Sequence, residues 1–297
     1  MNEVAIQYRI ERVKDGVSLQ STHRLPFEPK GTLLKMREDL KTALWNMPYE
    51  QEQILYGTYS FVENGRRDVD VDNILIYNVQ QGKNGSTVFQ HLCRNGLILE
   101  KFKYPHSLEK DKQVPYQYFQ QYTMVDERKQ QTYWNFNKLI ISWEDIRIRT
   151  LYNDLVLYWK DIKDNHNRIY IAAKDDVKDE KYGMEIILYT NTEYNLAGKL
   201  KYMIDGITAA FHSHTGKDLS EISQRIAVKL SIPARDIADI LIDSQYAVLG
   251  KRRLVWLFRK GIQWNPADDR FAFIKILIKP SADSYTRLSG KIFTVSQ

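Results

Sequence analysis

With 297 residues, of which 43% are hydrophobic and 12% aromatic, the chain is long enough and apolar enough to fold around a large core, which argues against disorder. Its longest uninterrupted apolar runs, among them 169–173 and 254–258, are five residues long, far below the ~18 residues that a membrane span needs. The N-terminal residues lack the apolar stretch of a secretory signal, and the single cysteine, Cys93, allows no internal disulfide. These features predict a cytoplasmic protein that does not enter the membrane.

The formal net charge of +6 is concentrated in the last third of the chain, where residues 201–297 hold 15 basic and 9 acidic side chains. Aromatic side chains alternate with the basic residues there, a pattern typical of surfaces that bind phosphates and unstacked bases, although it also fits a strand with one solvated charged face. The predicted nucleic-acid-binding residues are Lys251, Arg252, Arg253, Arg259, Lys260 and Trp264.

In chain order, the pattern begins with a strand at 4–10, an amphipathic helix at 31–46 and a strand at 55–62. Residues 80–190 are rich in aromatic and polar residues with short strand-like pieces, and helical periodicity returns from residue 195. Strands at 248–258 and 271–278 close the chain. We therefore predict an α/β (α+β) fold with a mixed sheet and flanking helices. Residues 1–79 and 191–297 form its core, and 80–190 form a β-rich insertion or second lobe.

An acidic segment follows the third of these elements. Asp70 and Asp72 are two residues apart, so that an extended backbone would direct both carboxylates to the same side. Paired carboxylates are ligands that Mg²⁺ or Mn²⁺ accepts, and such ions support phosphodiester cleavage. A solvated acidic turn, or helix capping by Asp72 or Asn73, explains the same residues without a metal.

Further along the chain, the helix predicted from residue 195 places Lys201 and Asp205 on one face, four residues apart, and Asp243 ends a later helix. The series Arg66-Arg67, Asp70-Val71-Asp72-Asn73, Lys201-x-x-x-Asp205 and Ile242-Asp243-Ser244-Gln245 resembles the RusA-type Holliday junction resolvases.

The resemblance implies that Asp70, Asp72 and Asp243 bind Mg²⁺ or Mn²⁺, that Asp70 and Asp72 thereby take part in catalysis, and that Lys201 is the catalytic lysine. It also implies a homodimer that cleaves branched DNA in recombination or repair. The chain departs from the family in two places. The family's lysine position is Ile76, so that Lys201 comes 128 residues after Asn73, and Ser244 stands where the family has a second aspartate.

Two other interpretations remain open. His212 and His214 form a His-x-His pair that either binds a metal or caps the end of a helix. Alternatively, the protein has no catalytic activity, its acids are ordinary surface carboxylates, and the basic aromatic C-terminal third binds nucleic acid or another protein.

Overall fold

A computed structural model describes residues 5–62, 69–81, 88–103, 116–148, 153–173 and 180–297. In those ranges the chain forms a large mixed sheet flanked by helices, which confirms the predicted α/β class. No helix in the described ranges combines the length and the apolar character needed to cross a membrane. The pair Arg66-Arg67 lies outside the described residues.

The predicted opening strand is the first half of a hairpin, because a second strand follows it directly and pairs with it antiparallel. The strands are β1 Tyr8–Val13, β2 Gly16–Ser21, β3 Ile54–Phe61, β4 Gly96–Lys103, β5 Tyr118–Val125, β6 Asn135–Ile148, β7 Ile169–Ile171, β8 Tyr182–Thr190, β9 Ser213–His214, β10 Lys251–Arg252, β11 Val255–Phe258, β12 Gly261–Trp264, β13 Phe271–Pro280 and β14 Thr286–Ser296.

The large sheet joins distant parts of the sequence. In the described residues its ten strands have the order β1-β2-β5-β3-β4-β13-β8-β14-β6-β7. β3 is parallel to β4 and β13 is parallel to β8, whereas the other neighbours are antiparallel. The strands β4 to β8, all from residues 80–190, therefore alternate with strands from both flanking segments. The pairing does not set this middle segment apart as an inserted lobe, because β13 of the last third lies between β4 and β8.

Helices cover the sheet and position the residues discussed below. They are α1 Gly31–Trp45, α2 Asn78–Gln80, α3 Val88–Leu92, α4 Leu155–Asp164, α5 Leu196–Ala210, α6 Leu219–Leu230 and α7 Ala234–Ile242. The side chain of Asn195 accepts a hydrogen bond from the Gly198 N–H (3.1 Å) and so caps the start of α5. A Cβ atom at Gly206 would lie 2.6 Å from Tyr158 Cβ, so glycine at this position lets α5 pack closely on α4.

The segment after β3 is helical and not extended. A π-helical turn, Asn73–Tyr77, follows Asp72 and leads directly into α2. The Tyr122 hydroxyl of β5 donates to the Leu75 carbonyl (2.8 Å), which holds this segment against the sheet. The Gln80 amide donates to the Ala197 carbonyl (3.1 Å), which ties the segment to the first turn of α5.

Candidate acidic site

Lys201 lies among carboxylates that come from three separate segments of the chain. In the described residues, the acids within 4 Å of its Nζ are Asp268 (2.5 Å), Asp205 (2.7 Å), Asp70 (3.5 Å) and Asp72 (3.9 Å). The side chains are 1 to 22% exposed. Acids separated by as many as 198 residues therefore share one half-buried cation.

Local structure explains how Asp70 and Asp72 enter this cluster. The backbone of Asp72 is already in the right-handed helical region, so the two carboxylates converge at the start of a helix and not along an extended strand. The Asn73 amide donates to Asp70 Oδ2 and fixes that carboxylate. Ile76 is buried in the core, so the helix that follows the acids contributes no lysine, and α5 supplies one from elsewhere in the chain.

The partner of this segment is the short 3₁₀ turn Asp268–Arg270 that precedes β13. Lys101 of β4, 1% exposed, connects the two segments, because its ammonium donates to the Val69 carbonyl (2.9 Å) and to the Asp269 carbonyl. Two backbone segments that carry acids are thus held together by a buried lysine. Lys101 and Asp268 are candidate functional residues that the sequence pattern does not reveal. For Asp268 the available signal is an Asp-Asp pair directly before a strand.

Burial and mutual repulsion control the charge of the cluster. Burial raises the pKa of Asp70 to about 7, with the neighbouring charge of Asp268 adding to the rise and Lys201 opposing it. Burial likewise raises the pKa values of Asp72 and Asp205, again against the effect of Lys201. For Asp268, burial is the largest single effect and acts upward, but the charge and hydrogen bond of Lys201, together with hydrogen bonds from Asp205 and the backbone, outweigh it, and the pKa is lowered.

Lys201 remains charged in this environment. Burial by itself would lower its pKa, but Asp72, Asp205, Asp268 and Asp70 raise it well above the ordinary value. One positive charge faces four acids, so the cluster carries an excess of negative charge or retains protons at neutral pH.

The buried carboxylate of Asp72 is incompletely compensated by the residues described around it. Its side chain is 1% exposed, and neither carboxylate oxygen accepts a well-formed hydrogen bond from the residues that the structure describes. A buried carboxylate in this state is costly unless a cation compensates it. Carboxylate oxygens are the hard ligands that Mg²⁺ and Mn²⁺ prefer in proteins. In the described part of the chain, however, no group of three or more acids, histidines or cysteines has the arrangement of a metal site, and Lys201 provides the positive charge among the carboxylates.

Asp243, expected as a third metal ligand, lies away from this cluster. It lines a cleft of about 270 Å³ with Lys163, His166 and Ala210. Ala210 is the last residue of α5 and Lys201 is nine residues earlier, which corresponds to about 13 Å along the helix. The chain instead brings Asp268 to Lys201, because the turn before β13, not the end of α7, reaches the start of α5.

The predicted basic residues gather at and before the hairpin formed by β11 and β12. Arg259 and Lys260 are exposed at its turn, and the Arg259 guanidinium lies 5.2 Å from the centre of the Phe258 ring. Arg253 pairs with Asp218 (2.7 Å), and Trp264 packs on Trp159 with ring centres 5.4 Å apart. Lys251 and Arg252 form the short strand β10, in which Lys251 is exposed and Arg252 is half-buried. The hairpin turn is thus an accessible basic surface, whereas one face of Trp264 is covered.

His212 and His214 are buried and bonded to the backbone. A ring nitrogen of His212 lies 3.0 Å from the Gly250 carbonyl, and the other accepts from the Ala267 N–H (3.4 Å). His214 contacts the Lys217 carbonyl (2.8 Å) and accepts from the Val255 N–H (3.4 Å). Both nitrogens of each ring are therefore engaged in joining α5 to the loops after it, and α5 ends before these residues, at Ala210.

Comparison with protein-family models, with curated proteins and with solved structures gives no match for this chain. The chemistry of the acidic site is therefore the basis for a functional assignment.

Proposed function

We propose that the protein is a metal-dependent endonuclease that cleaves phosphodiester bonds in branched or distorted DNA. The observation that carries this proposal is the convergence of Asp70, Asp72, Asp205 and Asp268 on Lys201. Carboxylates clustered around a lysine are suited to hydrolysis of a phosphodiester, because the acids hold a divalent cation and the ammonium neutralises phosphate charge.

In this proposal Asp70, Asp72 and Asp268 would hold Mg²⁺ or Mn²⁺, and such an ion would supply Lewis-acid stabilisation of the phosphate. Asp205 contacts Lys201 at 2.7 Å from the next turn of the same helix and fixes the direction of the ammonium. Lys201 then places its positive charge next to the scissile phosphate or the leaving oxygen.

The arrangement supports the resemblance to RusA-type resolvases in one respect. A helix does follow Asp70 and Asp72, as in that family, and the lysine expected on it is replaced by Lys201 of α5. A junction has two equivalent cleavage points, so we propose a homodimer acting in DNA recombination or repair. Sedimentation equilibrium with and without a four-way junction tests the dimer.

The decisive experiment measures cleavage of labelled four-way junction, duplex and single-stranded DNA during titration with Mg²⁺ or Mn²⁺. Wild-type protein is expected to cut the junction only with metal, and Asp70→Asn and Asp268→Asn are expected to reduce the rate by about 10²- to 10³-fold. Asp243→Asn serves as the matched control and should cut at the wild-type rate. Equal loss in Asp243→Asn would reject the assignment of ligands, and the absence of metal-dependent cutting by the wild type would reject the nuclease.

A second candidate function is nucleic-acid binding without catalysis, favoured by the exposed basic turn at Arg259 and Lys260. We expect the double variant Arg259→Gln/Lys260→Gln to bind DNA more weakly and to lower the slope of log K against log salt by about 2, because two phosphate contacts are removed. Binding without metal-dependent cutting by the wild type, unchanged in Asp70→Asn, together with this loss, would favour the binding protein over the nuclease.

A further inference from the structure

An aromatic patch lies beside the acidic site. The rings of Phe27 and Tyr77 are stacked, with centres 5.3 Å apart and planes 8° from parallel. Phe27 is 45% exposed although it belongs to a loop that is well anchored: the Asn78 amide donates to the Leu25 carbonyl at 3.0 Å. The outer face of this stacked pair is therefore held in place and open to solvent.

Tyr77 and a second tyrosine follow residues of the acidic site along the chain. Tyr77 ends the π-helical turn that follows Asp72, and Tyr202, 37% exposed, comes directly after Lys201 on α5. Burial raises the pKa of the Tyr77 hydroxyl, and the nearby Tyr202, Lys201 and Asp205 also act on it. Tyr77 is thus close enough to Tyr202, Lys201 and Asp205 for their charges to act on its hydroxyl.

We propose that Phe27, Tyr77 and Tyr202 form a platform on which one unstacked base of a bound DNA strand stacks while a neighbouring phosphate lies at Lys201. This inference rests on the proposed function and names the feature of DNA that the site selects. Flat aromatic side chains bind any base through its face, and each stacked base adds appreciably to affinity. In duplex DNA both faces of a base are already covered, whereas a branch point exposes them. The platform therefore discriminates by DNA shape and not by sequence.

The test uses a four-way junction that carries 2-aminopurine at the branch, in EDTA, so that binding is observed without cleavage. Wild-type protein is expected to quench the 2-aminopurine fluorescence. Phe27→Ala and Tyr202→Ala should abolish most of the quenching and weaken junction binding by about 5- to 100-fold. Tyr77→Phe keeps the ring and should retain both. Tyr170→Ala, which removes a 65% exposed aromatic from strand β7, is the matched control and should behave as wild type.

The outcomes separate this inference from the nuclease. Wild-type quenching and affinity in both alanine variants, confirmed as folded by circular dichroism, would overturn the platform even if the junction is cut in Mg²⁺. Loss of quenching in these variants, without any metal-dependent cutting by the wild type, would support the platform and reject the nuclease. Failure of wild-type protein to bind the junction at all would overturn both.

Discussion

Two buried acidic regions of this protein differ in how their negative charge is compensated. Glu100 of β4 is fully buried and accepts hydrogen bonds from the Tyr56 hydroxyl and from the backbone N–H groups of Tyr133 (3.0 and 3.1 Å) and Trp134 (3.1 Å). Burial raises its pKa, but these donors oppose the rise. Asp72, equally buried, accepts no well-formed hydrogen bond within the described residues, although the backbone N–H groups of Asp72 and Asn73 act to lower its pKa, and it shares Lys201 with three other acids.

The difference separates a structural carboxylate from a candidate functional one. Around Glu100 the protein supplies every donor itself, so the group joins strands and leaves no capacity for a ligand. Around Lys201 the acids exceed the donors, and a fold that retains such an excess stores unfavourable charge that a cation from solution can relieve.

The largest expected effect comes from removing the shared cation. Lys201→Met should lower the free energy of unfolding by about 3–5 kcal/mol at pH 8 in EDTA, because it leaves buried carboxylates without a counter-charge. The loss should be smaller at pH 5, where acids with raised pKa values take up protons. Mg²⁺ or Mn²⁺ should restore part of the stability, since it binds only the folded state.

Urea denaturation with Lys199→Met as the control measures this effect. Lys199 is on the same helix and bonds only to the Asn153 side chain among its hydrogen-bond partners in the described structure, so its variant should stay within about 0.5 kcal/mol of wild type. A Lys201→Met protein as stable as wild type in EDTA would show that the carboxylates do not depend on this lysine.

A smaller effect is expected from His212, which resembles Glu100 in being satisfied by the protein. Burial lowers its pKa from 6.5 to about 4. Between about pH 6.5 and 4 the histidine is therefore protonated in the unfolded chain but neutral in the folded state. The free energy of unfolding falls as the pH drops through this range. The shift corresponds to about 3 kcal/mol.

The difference in unfolding free energy between wild type and His212→Gln isolates this contribution from that of the acids, which acts in the opposite direction. The difference should change across pH 6.5 to 4 and stay constant above pH 7.5. The exposed His166→Gln variant is the control. A pH-independent difference would mean that the His212 ring is protonated, or accessible to protons, in the folded state.

The smallest expected effect is that of Glu100→Gln, about 1–3 kcal/mol, because the amide keeps the shape but places N–H groups against donors. Unlike the loss in Lys201→Met, this loss should not respond to Mg²⁺ or Mn²⁺. Thermal denaturation with and without metal provides the measurement. If metal restored the stability of Glu100→Gln, Glu100 would respond to a cation in the same way as the acids around Lys201, and the two acidic regions would not differ.

Sequence patterns predicted the elements whose signal is local. The apolar spacing at 31–46 corresponds to α1, Gly31–Trp45, and the strand-like residues 55–62 to β3, Ile54–Phe61. The spacing of Lys201 and Asp205 correctly placed them on one helix face, where they are in contact. Asp70 and Asp72 stand out in the sequence as a pair of acids, but the pattern does not decide between an extended segment and a helix after them, because Ile74 to Tyr77 are four apolar residues that fit a buried strand or a helix equally well.

By itself, therefore, the sequence determined the mixed α/β class, the main amphipathic helices and the presence of acids and a lysine suited to one site. Only the tertiary structure decided which acids meet. Asp268 replaces Asp243 at Lys201 because β13 pairs between β4 and β8, and Lys101 of β4 then binds the backbone on both sides of the site. The periodicity of a helix or a strand can be read from about ten to twenty consecutive residues. The order of strands in a sheet depends instead on the total burial of all their side chains, which no short stretch of sequence contains.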